Sequence, residues 1–141
     1  MVRQYLDLCS WGWRARVYYL TETEQDGRDA AEILHALRAC GATGTETAEA
    51  VRMLEADALN CGMTYSNERT RRSVVVIGRA DSAEEFASTY DHEKGHLAAH
   101  IAQAVGISPA GEEYQYLAGE IARQMFKAGR QFFCDCCRRK L

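Results

Sequence analysis

The residues with the clearest chemical potential form the stretch His92-Glu93-Lys94-Gly95-His96. On an α-helix, residues four apart lie on the same face, about one turn apart, so both imidazoles can reach one metal ion. Histidine nitrogen binds zinc at about 2.0–2.1 Å. Glu93 directly follows the first histidine, where its carboxylate can accept a proton from water at the metal and pass it to a leaving amine. The spacing predicts a zinc site with His92 and His96 as ligands and Glu93 as the catalytic base.

A zinc site of this kind needs a third protein ligand, which metalloproteases of the two-histidine, one-glutamate type take from a following helix. Two carboxylates, Glu112 and Glu113, open the next predicted helix. We expect one of them to return to the metal and water to take the fourth position. His100 continues the four-residue spacing and is an alternative ligand. We favour the interpretation that His100 is a polar residue one turn beyond the site and does not bind the metal. The metzincin pattern is excluded, because alanine occupies both its glycine and its third-histidine positions.

The same segment resembles HExxH zinc metallopeptidases of the gluzincin type. More closely, it is similar to short metallopeptidases of bacteriophages and integrated mobile elements, in which an acidic and aromatic helix with a Tyr-Leu-x-Gly-x-Ile pattern follows the motif. Here that helix reads Glu112-Glu113-Tyr114-Gln115-Tyr116-Leu117-Ala118-Gly119-Glu120-Ile121, and the similarity covers about residues 72–128. Alignment on Tyr-Leu-x-Gly implies Glu112 as the third ligand, whereas a Glu-x-x-x-apolar-x-x-Glu alignment implies Glu113. The resemblance implies a small zincin-like domain, one Zn²⁺, and hydrolysis of a peptide or amide bond.

The remaining sequence predicts the elements that would position this motif. Alternating residues predict two strands, 2–9 and 13–21, and the β-branched run Val74–Ile77 predicts a strand buried on both faces, whose edge would receive substrate. Helical periodicity predicts helices at 29–40, 47–61, 82–106 (with a break near Thr89) and 109–129, the last two packed as a pair. These elements predict one α+β domain over residues 1–141 with a short, mostly antiparallel sheet.

Composition limits the class of protein. The chain has 141 residues, of which 47% are hydrophobic, and a net charge of −3, so no nucleic-acid partner is expected. Short basic runs at 69–72 and 138–140 predict solvated faces, with a local anionic partner as the alternative. No apolar run approaches the roughly 20 residues that span a bilayer, and the N-terminus lacks a secretory signal. We therefore expect no membrane association and a cytoplasmic location in a bacterial or phage-infected cell. The expected partner is a peptide or protein substrate; the alternative is an inactive zinc-binding accessory protein that acts through a protein partner.

Six cysteines in a protein expected to be cytoplasmic predict thiols or metal ligands rather than disulfides. Three of them lie in the basic tail, residues 133–141, as Cys134, Cys136 and Cys137. This group could bind a second zinc, but its spacing is not CxxC and no second pair of ligands accompanies it, so free thiols are favoured. The other three are expected to fill small apolar sites: Cys9, Cys40 and Cys61.

Overall fold

The protein is described here by a computed structural model, which covers residues 1–21, 27–55 and 62–138. The strands are β1 (Val2–Leu8), β2 (Trp13–Tyr19), β3 (Met63–Asn67) and β4 (Arg72–Ile77). The helices are α1 (Arg28–Cys40), α2 (Gly44–Glu55), α3 (Ala83–Val105), α4 (Glu112–Gly129) and the single turn α5 (Asp135–Arg138). The mixed α+β class is therefore as predicted. Within the described ranges, no helix has the length and apolarity needed to cross a membrane.

The four strands form one sheet in the order β1-β2-β4-β3. β1 pairs with β2, and β3 with β4, in antiparallel fashion, whereas β2 and β4 are parallel, so the sheet is mostly antiparallel as expected. β4 lies inside the sheet with a neighbour on each side. The expected free edge at Val74–Ile77 is therefore wrong, and β3, which the sequence analysis missed, is the edge strand on that side.

β4 separates two apolar cores, which confirms the prediction that it is buried on both faces. Val75 and Ile77 belong to the larger core, with α3 and α4, whereas Val74 and Val76 belong to the smaller core, with α1 and α2. All four side chains are at most 1% exposed. α2 begins at Gly44, three residues before its predicted start, and the predicted continuation to residue 61 lies outside the described residues.

α3 and α4 form an antiparallel hairpin beneath the sheet. α3 is continuous, without the break expected near Thr89, and its N-cap Ser82 accepts a hydrogen bond from the Glu85 amide. α4 begins at Glu112 rather than at residue 109, because residues 108–111 form a turn that Gly111 closes by donating to the Ser108 carbonyl. Gly129 packs against the ring of Tyr90, where a Cβ would lie 2.7 Å from Cε2. The end of α4 thus lies beside the first half of α3.

Candidate metal centre

The HExxH motif lies on α3, and its two histidines face solvent beside each other. The Nε2 atoms of His92 and His96 are 3.0 Å apart, and the two rings meet edge to face at 83°. Two nitrogens bound to one tetrahedral zinc at about 2.0–2.1 Å would be about 3.3 Å apart. Both side chains are exposed, so an ion has access to them. This spacing fits a pair of zinc ligands.

Glu93 points from the same helix toward the sheet and is only 3% exposed. The Thr64 hydroxyl on β3 donates to Glu93 Oε2 at 2.7 Å and holds the carboxyl in place. Burial raises the pKa of Glu93; the Thr64 hydrogen bond and the nearby imidazoles oppose this with smaller effects. A carboxyl with a raised pKa is better matched to accepting and releasing a proton near neutral pH than an ordinary glutamate.

β3 approaches Glu93 closely, and a glycine makes this approach possible. Gly62 has a φ of +77°, and a Cβ there would lie 2.5 Å from the Val76 carbonyl oxygen and 2.9 Å from Glu93 Cγ. A larger residue would push β3 or the carboxyl away. The sequence analysis missed Gly62 and Thr64. Along residues 63–66, apolar side chains that face α1 alternate with hydroxyl-bearing side chains that face α3. This alternation is the sequence signal that could have located the strand.

His100, the alternative ligand, is tied to the sheet. Its Nδ1 shares a hydrogen bond of 3.0 Å with the Ser66 hydroxyl, which is 2.7 Å from that of Ser73. The buried indole of Trp13 donates to Ser73 Oγ at 2.8 Å. Burial is the main cause that lowers the pKa of His100. This chain of contacts favours a structural role for His100 beside the motif.

The predicted third ligands are not brought to the histidines. Glu112 and Glu113 are exposed at the start of α4. Across the described residues, no acidic, cysteine or further histidine side chain completes a set of three ligand atoms within 4.8 Å around His92 and His96. The reason is the hairpin: His96 lies about 13 Å before the end of α3 at 1.5 Å per residue, and α4 starts beside that end. The ligand role of Glu112, or of Glu113, stays a prediction, since neither carboxylate lies near the imidazoles in this structure.

Replacing Glu112 by alanine tests that role directly. Because the hairpin holds Glu112 far from the imidazoles, we expect Glu112→Ala to change the zinc dissociation constant less than about threefold. We expect an equally small change for Glu113→Ala. The measurement is competition with a chelator of known affinity. A loss of tenfold or more in Glu112→Ala alone would restore the ligand set predicted from sequence and would require the start of α4 to move toward the motif.

A second group of potential ligands lies at the C-terminal end of the described chain. The Sγ atoms of Cys134, Cys136 and Cys137 all lie within 4.8 Å of one another, and this cluster can hold a metal ion. A hydrogen bond from the Cys136 thiol, followed by backbone amide hydrogen bonds, lowers the pKa of Cys134 to about 7, while the same thiol contact raises that of Cys136 to about 11. Thiolates suit zinc and softer ions.

The thiol cluster is fixed at the N-terminal end of α3 rather than near the histidines. Asp135 Oδ1 accepts a hydrogen bond from the Ala83 amide at 3.0 Å. The ring of Phe133 packs edge to face on those of Phe86 and Tyr90. Nine helical residues, or about 13 Å, separate Ala83 from His92. The two groups of potential ligands are therefore separate, and both interpretations of the cysteines, a second metal site and free thiols, stay open.

Comparison of the chain with protein-family models, with curated proteins and with solved structures found no match. The likeness of residues 72–128 to phage-encoded metallopeptidases therefore stays a resemblance of motifs. The function has to be inferred from the chemistry of the α3 motif and of the strand beside it.

Proposed function

We propose that the protein is a zinc-dependent hydrolase of peptide or amide bonds with a zincin-like arrangement of its motif. The observation that carries this proposal is the side-by-side placement of the two Nε2 atoms of His92 and His96, 3.0 Å apart, on the same turn of α3 as the buried side chain of Glu93. A structural imidazole pair has no evident need for a neighbouring carboxyl with a raised pKa.

In this proposal each residue of the motif has a defined task. His92 and His96 bind zinc, which when present polarises a carbonyl group and lowers the pKa of water. Glu93 accepts a proton and later returns it to the leaving amine. Thr64 keeps the Glu93 carboxyl in one orientation through its 2.7 Å hydrogen bond. Further ligands have to come from outside the described side chains or from a movement of α4.

The edge strand β3 supports a substrate with an extended backbone. In the described sheet β3 pairs with β4 alone, so its outer backbone groups have no strand partner there. An extended peptide can add to such an edge through main-chain hydrogen bonds. Thr64 on this strand contacts Glu93, and Ser66 contacts His100, so a peptide bound along β3 would lie next to the motif. This placement favours a peptide over a compact small molecule.

One observation favours the alternative of an inactive zinc-binding accessory protein. No third ligand from the described side chains completes the His92–His96 pair, whereas catalytic zinc sites have three protein ligands. In that case the motif would hold a metal weakly, and the protein would act by binding a partner.

A peptide-library assay distinguishes the two functions. Purified protein loaded with zinc is incubated with a library of proteome-derived peptides, and new amino termini are identified by mass spectrometry. We expect new termini that disappear on chelation, return with added zinc and are absent from the His92→Ala/His96→Ala variant. A library that stays intact under all of these conditions would favour the accessory protein.

A further inference from the structure

A cavity lies on the face of the sheet opposite α3 and α4. On that face α1 and α2 cover β4 around Val74 and Val76, and α1 also contacts the start of β1 through Arg3. The end of β1, the start of β2 and the start of β4 border a cavity instead. The resulting cavity has a volume of about 350 Å³. Its charged lining residues are three arginines and one carboxylate: Arg14, Arg16, Arg72 and Asp7. The cavity is therefore locally basic in a chain whose net charge is −3.

The strand register concentrates the arginines. Arg14 on β2 is the direct partner of Arg72 on β4, and Arg16 lies two residues further along β2 on the same face. Neighbouring strands are about 4.8 Å apart, and like charges directly opposite each other destabilise a sheet. Among the side chains that the structure describes, no carboxylate lies within 4.0 Å of any of these three guanidinium groups. Asp7, the partner of Arg14 across β1 and β2, offsets part of this charge. The lining keeps an excess of positive charge, which a bound anion would offset further.

An aromatic ring stands at the mouth of the same cavity. Tyr5, the partner of Arg16 across β1 and β2, is 72% exposed. The guanidinium carbon of Arg16 lies 5.4 Å from the centre of the Tyr5 ring, as in a cation–π contact. Much of the ring surface stays accessible to solvent. A planar heterocycle can stack on a ring exposed in this way.

We propose that this cavity binds a mononucleotide, with its phosphate on Arg14 and Arg72 and its base on Tyr5. Guanidinium groups bind phosphate through paired hydrogen bonds, and adjacent arginines are a common arrangement for this purpose. The volume of the cavity lies in the range of small-molecule sites. The acidic net charge of the chain argues against an extended nucleic-acid surface. The site lies on the other face of the sheet from the HExxH motif, so the proposal does not depend on hydrolase activity.

The test uses the full chain titrated with AMP, adenosine and inorganic phosphate by calorimetry at low ionic strength. We expect AMP to bind at least about tenfold more tightly than adenosine, because a hydrogen bond to a charged group contributes about that much. Arg14→Gln and Arg72→Gln should each weaken AMP binding about tenfold or more. Tyr5→Ala should weaken binding of AMP but not of inorganic phosphate. Arg130→Gln removes one exposed charge beyond the end of α4 and should leave AMP binding unchanged.

Two controls keep the result interpretable. Melting temperatures show whether each variant is folded, and Arg14→Lys, which keeps the charge but loses the planar fork, should bind AMP with intermediate affinity. Equal affinity for AMP and adenosine, or equal losses in Arg14→Gln and Arg130→Gln, would overturn the proposal. A ten-nucleotide single strand that binds far more tightly than AMP would overturn it in favour of a nucleic-acid surface.

Discussion

Replacing His96 by alanine is expected to lower the affinity of the protein for zinc by more than about 100-fold. Loss of a residue that merely supports a ligand costs about 10- to 100-fold in metal affinity, so loss of a ligand itself should cost more. The effect should be large here because the described side chains offer His92 and His96 alone at this site. Chelator competition gives the dissociation constant, and elemental analysis gives the zinc content of the purified protein, which we expect to be about one ion per chain at this site.

Metal binding by the cysteine cluster has to be removed for this measurement. We would compare variants in a background with Cys134, Cys136 and Cys137 replaced by serine, because these thiols can hold an ion of their own. His35→Ala, which removes an exposed imidazole from α1, is the matched control and should retain full affinity. If the His92→Ala/His96→Ala variant in this background still bound one zinc per chain, the proposed site would be ruled out.

Strong local patterns predicted the framework of the fold. The run Val74–Ile77 has four consecutive apolar β-branched residues, and both faces of β4 are indeed covered by apolar layers. The alternation of Trp13, Ala15 and Val17 likewise identified β2, which buries these three side chains completely or almost so. In each case burial on a defined face produces a pattern that can be read without knowing the neighbouring elements.

β3 was missed because its pattern is weak. It has five residues, all half-buried, and Thr64 and Ser66 carry the polar contacts of the motif instead of apolar packing. As an edge strand it has one face against α3 and one against the smaller core, and neither produces a long apolar run. The expected free edge was therefore assigned to β4, the strand with the stronger signal.

The geometry of the helix hairpin explains why Glu112 lies away from the two imidazoles in this structure. In an antiparallel helix hairpin, residues at equal distances from the turn lie opposite each other, and the packing of Gly129 on Tyr90 fixes this register. His96 therefore lies level with about Arg123, well inside α4, and not with the first residue of α4. Proximity of a glutamate in sequence and its membership of the next helix do not supply this information. The close approach of His92 and His96 could be predicted, since it depends on the geometry of a single helix.

Replacing Glu93 by glutamine separates the hydrolase from the accessory protein. Glutamine keeps the size of the side chain, and its carbonyl oxygen can still accept the hydrogen bond from Thr64, but it cannot accept a proton. Zinc affinity and melting temperature should therefore change little, whereas the rate at which the peptide library is cleaved should fall by roughly 10²- to 10⁴-fold, the usual contribution of a general base. Glu84→Gln makes the same change at an exposed position of α3 and should leave cleavage unaffected.

The outcome is decisive when the glutamine and alanine variants are compared. A binding surface does not require a proton acceptor beside the metal, so an accessory protein should keep its function in Glu93→Gln and lose it only when zinc is lost in His96→Ala. A hydrolase should lose its activity in both variants, since the imidazoles hold the ion and the carboxyl moves the proton. Full cleavage by Glu93→Gln, with zinc bound, would contradict the assigned role of Glu93. We expect parallel loss, because Thr64 and Gly62 hold this one carboxyl, buried, within a turn of both imidazoles.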